Sequence, residues 1–193
     1  MLEDFFFYFR IGMEHVLEWG ALDHILFLIC LCVPFILKDW QKVLALVTFF
    51  TLGHTISLLL GAYGVVSLKS SFVEFLIPIT IFLAALANIF TAGKITSQNN
   101  KLVYGLSVFF GTVHGLAYYG DLKMVLGSEG KTLKILEISL GVETAQLIIA
   151  LIIIILGTIM QHVITVTKRD WVMVVSAIAL GLILPMIIEN KFW

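Results

Sequence analysis

Charged side chains are scarce in this sequence. Of its 193 residues, 13% are Asp, Glu, Lys or Arg, whereas 60% are hydrophobic. A soluble domain carries about 25% charged residues, so roughly half of the charge that normally faces water is missing. This scarcity excludes a soluble globular protein and indicates that lipid, as the partner of the chain, surrounds most of it.

Cysteine is also rare, and basic residues are not in excess. The two cysteines, Cys30 and Cys32, lie two positions apart in an apolar run, so on a helix they point to nearly opposite faces. This spacing excludes a disulfide framework and a paired-thiolate metal site. The net charge of −1 gives no indication of nucleic-acid binding.

Six apolar segments have the length of membrane spans. Their length and their lack of strict alternation predict helices rather than barrel strands. Before them, the segment of about 4–19 mixes phenylalanines with charged residues, which is typical of an interfacial helix or a cap over the bundle. We therefore predict an all-α polytopic membrane protein, a six-transmembrane-helix bundle forming one domain over 1–193. The predicted spans are about 22–37, 43–63, 72–92, 102–119, 134–160 and 171–188.

The orientation follows from the cationic residues between spans. Each set of loops carries six Lys or Arg residues, so the positive-inside count ties. One set, in the loops after the first, third and fifth spans, clusters close to the helix ends. We therefore expect those loops to be cytoplasmic and both termini to lie outside, as in a bacterial inner (cytoplasmic) membrane protein.

Ionisable groups inside spans are expensive, because insertion of Asp, Lys or Arg at a helix centre costs about 2.5–3.5 kcal/mol. The membrane face that carries the N-terminus is here called face A, and the opposite one face B. At 1.5 Å per residue, His54 and Glu143 lie about 14 Å from face A and His114 about 8 Å. Asp23 and His24 begin the first span at that face. These groups therefore share one half of the bilayer, and we expect them to meet.

Imidazole and carboxylate groups together are typical ligands of nickel, cobalt or zinc. The predicted metal ligands are His24, His54, His114, Glu143 and Asp23. Further candidates are His15 and Glu18 as ligands at the entrance, Gln146 as a supporting group and Asn88 as a relay towards face B.

Two other features surround these candidates. Gly53, Gly111 and Gly115 stand beside His54 and His114, and they predict close approach of helix backbones. Tyr118, near the end of the fourth span, is typical of a membrane interface, and the alternative is that it lines an entrance.

At these residues the sequence resembles the HupE/UreJ family of membrane proteins. The resemblance rests on segments 12–17, 23–28, 50–58, 111–116 and 140–147, which occur in the family order. It implies a six-helix bundle and a role in nickel or cobalt uptake. The family motif of His, five residues and Asp-His maps onto His15, Asp23 and His24 with seven intervening residues. This longer spacing implies a divergent branch and supports His15 less than the other ligands.

Three functions are compatible with these residues. The leading hypothesis is a divalent-metal permease that takes ions from face A. The second is an intramembrane metal-dependent hydrolase, in which a bound metal lowers the pKa of water to about 7 and Glu143 is the general base. The third is a membrane assembly factor whose polar groups only join helices.

Overall fold

The computed structural model describes residues 2–18, 22–66, 68–92, 100–127 and 129–190. Over these ranges the chain is helical and contains no strand, so the all-α prediction is confirmed. A short 3-10 helix occupies Leu37–Asp39. The α-helices are α1 (Leu2–Leu17), α2 (Leu22–Cys32), α3 (Trp40–Ala62), α4 (Ser70–Thr91), α5 (Asn100–Leu126), α6 (Lys131–His162) and α7 (Lys168–Glu189).

Five of the described helices, α3 to α7, are long and apolar enough to cross a bilayer. A sixth crossing results if α1 and α2, which are inclined by 74°, together form one bent span. The outer faces of α6 and α7 carry exposed aliphatic side chains such as Leu151 and Ile178, 48% and 58% exposed. Such surfaces suit lipid contact, and the structure fits an integral membrane protein with five or six crossings.

The start of the chain differs from the predicted span over 22–37. Helix α2 has 11 residues and ends at Cys32, so at 1.5 Å per residue it covers about half of a 30 Å hydrocarbon core. Pro34 follows after one residue, Val33, and proline disfavours helical backbone in the residue before it. The predicted interfacial segment, about 4–19, corresponds to α1 as far as Leu17, while Trp19 lies outside the described residues.

Helix α5 is longer than the predicted fourth span. The span was expected to end near residue 119, but the helix continues through Asp121 and Lys123 to Leu126. Polar residues mark where a helix leaves the hydrocarbon, whereas a backbone change marks where it ends. Gly127, with a φ of 61°, supplies that change.

Helices α3 and α5 run in the same direction and touch through their backbones. A Cβ atom at Gly53 would collide with the carbonyl oxygen of Val108, and one at Gly111 would collide with that of Phe50. Gly115 lies equally close to the backbone of His54. The predicted close approach beside the two histidines is therefore confirmed, and it brings His54 and His114 to one level.

Close backbone contacts at glycines also join α1 to α6. A Cβ at Gly12 would collide with the carbonyl oxygen of Ile138, and one at Gly141 with that of Phe9. Further towards the helix starts, the Lys134 ammonium lies 5.5 Å from the centroid of the Tyr8 ring. From Tyr8 to Gly12 on α1, the neighbouring residues on α6 change from Lys134 to Ile138 and Val142, so the two helices are parallel. Helix α1 is held against the bundle, and its last turn points towards the histidines.

Candidate metal centre

Three histidines from three helices form the centre of the site. One ring nitrogen each from His15 on α1, His24 on α2 and His54 on α3 lies within 4.8 Å of the others. The ring centroids of His15 and His24 are 4.6 Å apart, and those of His15 and His54 are 6.2 Å apart. His114 on α5 joins the group through His24, at 5.2 Å between centroids. These four residues are called the histidine cluster below.

Three members of the histidine cluster are buried and His15 is half-buried, and most of the ring nitrogens have no hydrogen-bond partner. His54 and His114 are 0% and 1% exposed, and His24 is 4% exposed. Among the residues that the structure describes, both ring nitrogens of His54 and Nε2 of His15, His24 and His114 have no hydrogen-bond partner. Leaving a buried polar group unpaired costs about 1–3 kcal/mol. One nitrogen each of His15, His24 and His54 is grouped within 4.8 Å, and together with the unpaired nitrogens this indicates a site for a ligand that accepts lone pairs.

In two of the rings the hydrogen is on Nδ1, so Nε2 is free to donate its lone pair to a ligand. Nδ1 of His114 lies 2.8 Å from the carbonyl oxygen of Phe110, and since a carbonyl only accepts, Nδ1 carries the hydrogen. Nδ1 of His24 lies 3.1 Å from the Asp23 carboxylate in the same way. In both rings Nε2 keeps its lone pair. A carboxylate or carbonyl behind a metal-binding imidazole commonly sets its tautomer in this way.

Aromatic rings enclose the cluster, and one of them was missed in the sequence. Phe27 and Phe50 are buried, with ring centroids 5.3 Å and 5.2 Å from that of His114. Tyr118 is 5% exposed and lies against the imidazole of His15. Tyr118 lies one helical turn after His114, so both side chains are on the same face of α5, and this spacing is the sequence signal that identifies Tyr118. Tyr118 is thus part of the site as well as the end of a span.

Glu143 and Gln146 on α6 lie beside α3, apart from the three-histidine group. Thr48 donates a hydrogen bond of 2.7 Å to Glu143, and Thr51 donates one of 3.0 Å to Gln146. Glu143 is partly buried and Gln146 is 1% exposed. Among the described residues, the compact metal-ligand group comprises His15, His24 and His54 without Glu143. The predicted roles of Glu143 and Gln146 at the cluster stay predictions.

The remaining candidates have different surroundings. The Asp23 carboxylate also accepts a hydrogen bond of 2.8 Å from the backbone N–H of His24, which places it behind that ring. Glu18 is exposed beyond the end of α1. Asn88 on α4 donates a hydrogen bond of 2.7 Å to the carbonyl oxygen of Cys30. That bond gives Asn88 a structural partner between α2 and α4.

The geometry can now be set beside known proteins. A family model described as "HupE / UreJ protein" matches residues 1–190, which is nearly the whole chain. The chain belongs to the HupE/UreJ family. Comparison with curated proteins yields no match, and comparison with solved structures yields none either.

Membership in the HupE/UreJ family gives the histidine cluster a chemical context, because the family is associated with nickel and cobalt uptake. The residues present fit such ions. Imidazole is a favoured ligand for divalent nickel, cobalt and zinc, and the cluster offers several imidazole nitrogens that lack another partner. In this HupE/UreJ protein, the departure in His15 spacing does not remove His15 from the cluster, because α6 holds α1 in place.

Proposed function

We propose that this protein is a divalent transition-metal permease of the nickel and cobalt type. The ion enters from face A and binds at His15, His24 and His54, with His114 as a further ligand. Asp23 acts behind His24 as an orienting group rather than as a ligand. The metal ion is the substrate of the protein, and the histidine cluster is its binding site within the bundle.

The observation that carries this proposal is the set of buried imidazole nitrogens without partners. If the histidines only joined helices, their ring nitrogens would be expected to hydrogen-bond across the helix contacts. His54 has both nitrogens unpaired among the described residues. Two nitrogens bound to one zinc-like ion at about 2.1 Å stand no more than about 4.2 Å apart. The three grouped nitrogens lie within 4.8 Å of one another, so small rotations of the rings bring them to that separation.

Entry from face A is supported by the course of α1. This helix runs parallel to α6 from that face, and its last turn carries His15 to His24 and His54. The carboxylates of Glu14 and Glu18 lie at exposed positions close to His15 in sequence, and Glu14 pairs with Arg10 at 2.6 Å. Negative groups near a cation site raise the local concentration of cations and their association rate.

The test combines metal content with transport. The purified full-length protein is analysed for bound nickel, cobalt and zinc, and Ni²⁺ uptake is measured in proteoliposomes containing a metal indicator. The variants are His24→Gln and His54→Gln, and the matched control is His162→Gln, since His162 is exposed at the far end of α6. We expect near-stoichiometric metal and flux in the wild type and control, and loss of both in the two cluster variants.

Other outcomes contradict the permease. Stoichiometric metal without flux in the wild type would favour the metal-dependent hydrolase, with Glu143 as general base. Absence of any transition metal, together with unchanged folding of the His54→Gln variant, would favour a membrane assembly factor. Equal metal content and equal flux in all four proteins would show that the histidine cluster is not the binding site.

A further inference from the structure

A second group of polar side chains lies deeper in the bundle than the histidines. Its members share α3 and α6 and offer oxygen atoms: Thr48, Thr51, Glu143 and Gln146, here called the oxygen group. We propose that the oxygen group is a separate cation site, to which the metal ion passes from the histidines on its way to face B. This inference rests on the proposed permease function and supplies its second step.

Two hydrogen bonds define the oxygen group. The Thr48 hydroxyl donates to Glu143 at 2.7 Å, and the Thr51 hydroxyl shares its hydrogen between Gln146 at 3.0 Å and the carbonyl oxygen of Val47 at 3.1 Å. The two threonines are three residues apart on α3, and Glu143 and Gln146 are three apart on α6. Side chains with this spacing are neighbours at about 5–6 Å on a helix. The four side chains therefore form a compact patch across one helix contact.

The oxygen group continues inward from His54. Helix α3 runs from face B at Trp40 to face A at Ala62. Thr51 and Thr48 precede His54 by three and six residues, so they lie about 4.5 Å and 9 Å further towards face B. Phe27 and Phe50 cover the cluster beside His114. The threonine face of α3 is thus a polar route inward from the histidines.

The chemistry of the oxygen group suits a transit site. Carboxylate, hydroxyl and carboxamide oxygens are harder ligands than imidazole, and they hold a nickel-type ion less tightly. Conduction requires sites that bind strongly enough to admit an ion and weakly enough to release it. Imidazole binding first and oxygen binding second meets that requirement. The single carboxylate of Glu143 supplies the negative charge that the ion needs at this depth.

Gln146 gives an independent indication of a ligand. Its side chain is 1% exposed, and its Nε2 atom is buried without a hydrogen-bond partner among the described residues. A buried amide end without a partner costs about 1–3 kcal/mol, and such groups usually meet water or a ligand. The Nε2 atom is a hydrogen-bond donor, so its missing partner is an acceptor such as a water molecule that accompanies a partly hydrated ion beside Glu143.

The experiment separates binding from passage, using the full-length protein. Ni²⁺ affinity is measured on purified protein by titration, and Ni²⁺ flux is measured in proteoliposomes. For Glu143→Gln we expect affinity within about twofold of the wild type, because the histidines still bind, and flux reduced at least tenfold. For Thr48→Val we expect a smaller loss of flux, restored by Thr48→Ser. The matched control is Glu137→Gln, a buried carboxylate on the same helix, whose flux should not change.

The contrary results are distinct. Wild-type flux in Glu143→Gln would overturn the oxygen group as a transit site while leaving the permease intact. A tenfold or greater loss of Ni²⁺ affinity in Glu143→Gln would also overturn it, because Glu143 would then be a ligand of the histidine site. Absence of Ni²⁺ flux in the wild type would contradict the permease itself.

Discussion

The phenol ring of Tyr118 stacks on the imidazole of His15, with ring centroids 3.3 Å apart and planes inclined by 14°. The Tyr118 hydroxyl also lies 3.4 Å from the carbonyl oxygen of Ile11, on the same helix as His15. Since the lone pairs of an imidazole lie in its ring plane, stacking fixes the ring while leaving its edge free. One side chain of α5 thereby positions His15, a proposed ligand, on α1.

Replacing the stacked ring should weaken metal binding. We expect Tyr118→Leu to lower Ni²⁺ affinity about tenfold or more, because groups that orient ligands typically contribute 10–100-fold. Tyr118→Phe keeps the stack and should stay within about threefold. Titration of the purified proteins measures both values, with Tyr104→Leu as control because Tyr104 packs on Phe49 instead. Equal affinity of Tyr118→Leu and the wild type would show that the stack does not position His15.

Adding one methyl group at the helix contacts should destabilise the bundle. Gly53→Ala and Gly12→Ala place a Cβ against a backbone carbonyl that has no alternative rotamer. Overpacking of this kind costs about 1–3 kcal/mol, which thermal unfolding in detergent would detect. Gly105→Ala is the control, because a Cβ there meets no described atom within 4 Å. That variant should gain up to about 1 kcal/mol from helix propensity, and similar melting of all three would contradict the contacts.

The carboxylate behind His24 should matter for affinity more than for folding. Asp23→Asn keeps an oxygen that accepts the backbone N–H of His24 but removes the charge facing Nδ1. We expect the fold to be retained and Ni²⁺ affinity to fall about tenfold. Asp39→Asn is the matched control, since Asp39 pairs with the exposed Lys42. The idea fails if both variants bind Ni²⁺ as the wild type does.

Metal binding should stabilise the protein by mass action. A ligand that binds only the folded state adds about 2.7 kcal/mol when its concentration is 100 times its Kd. The unfolding temperature should therefore rise with Ni²⁺ or Co²⁺ and return to its starting value on chelation. His54→Gln should melt at the same temperature with and without metal. A shift of equal size in that variant would place the bound metal elsewhere.

Much of the site was predictable because burying charge in lipid is costly. His24, His54 and His114 stood out as polar groups within apolar runs, and counting residues along alternating spans gave them a common half of the bilayer. Gly53 and Gly111 stood out in the same way, as small residues beside histidines. The structure brings the three histidines together, and those glycines hold α3, with His54, against α5, with His114.

The position of α1 was harder to predict. Hydropathy shows that Phe5 to Leu17 is a mixed segment, but it does not predict that this segment packs against a helix more than 120 residues away. Only the reciprocal contact between Gly12 and Gly141 places His15 beside His24 and His54. Tyr118 was predicted to be an interfacial residue because its neighbour in space, His15, belongs to α1, whose position was not predicted. Long-range packing, rather than local pattern, determines both placements.

The contact of α1 with α6 has a consequence for biosynthesis. Helix α1 is made first, but the helix that grips it begins at Lys131. While α2 to α5 are being inserted, the first imidazole has no fixed place, and the nascent chain lacks a complete set of ligands. The proposed metal site is therefore complete only after about three-quarters of the polypeptide has been made.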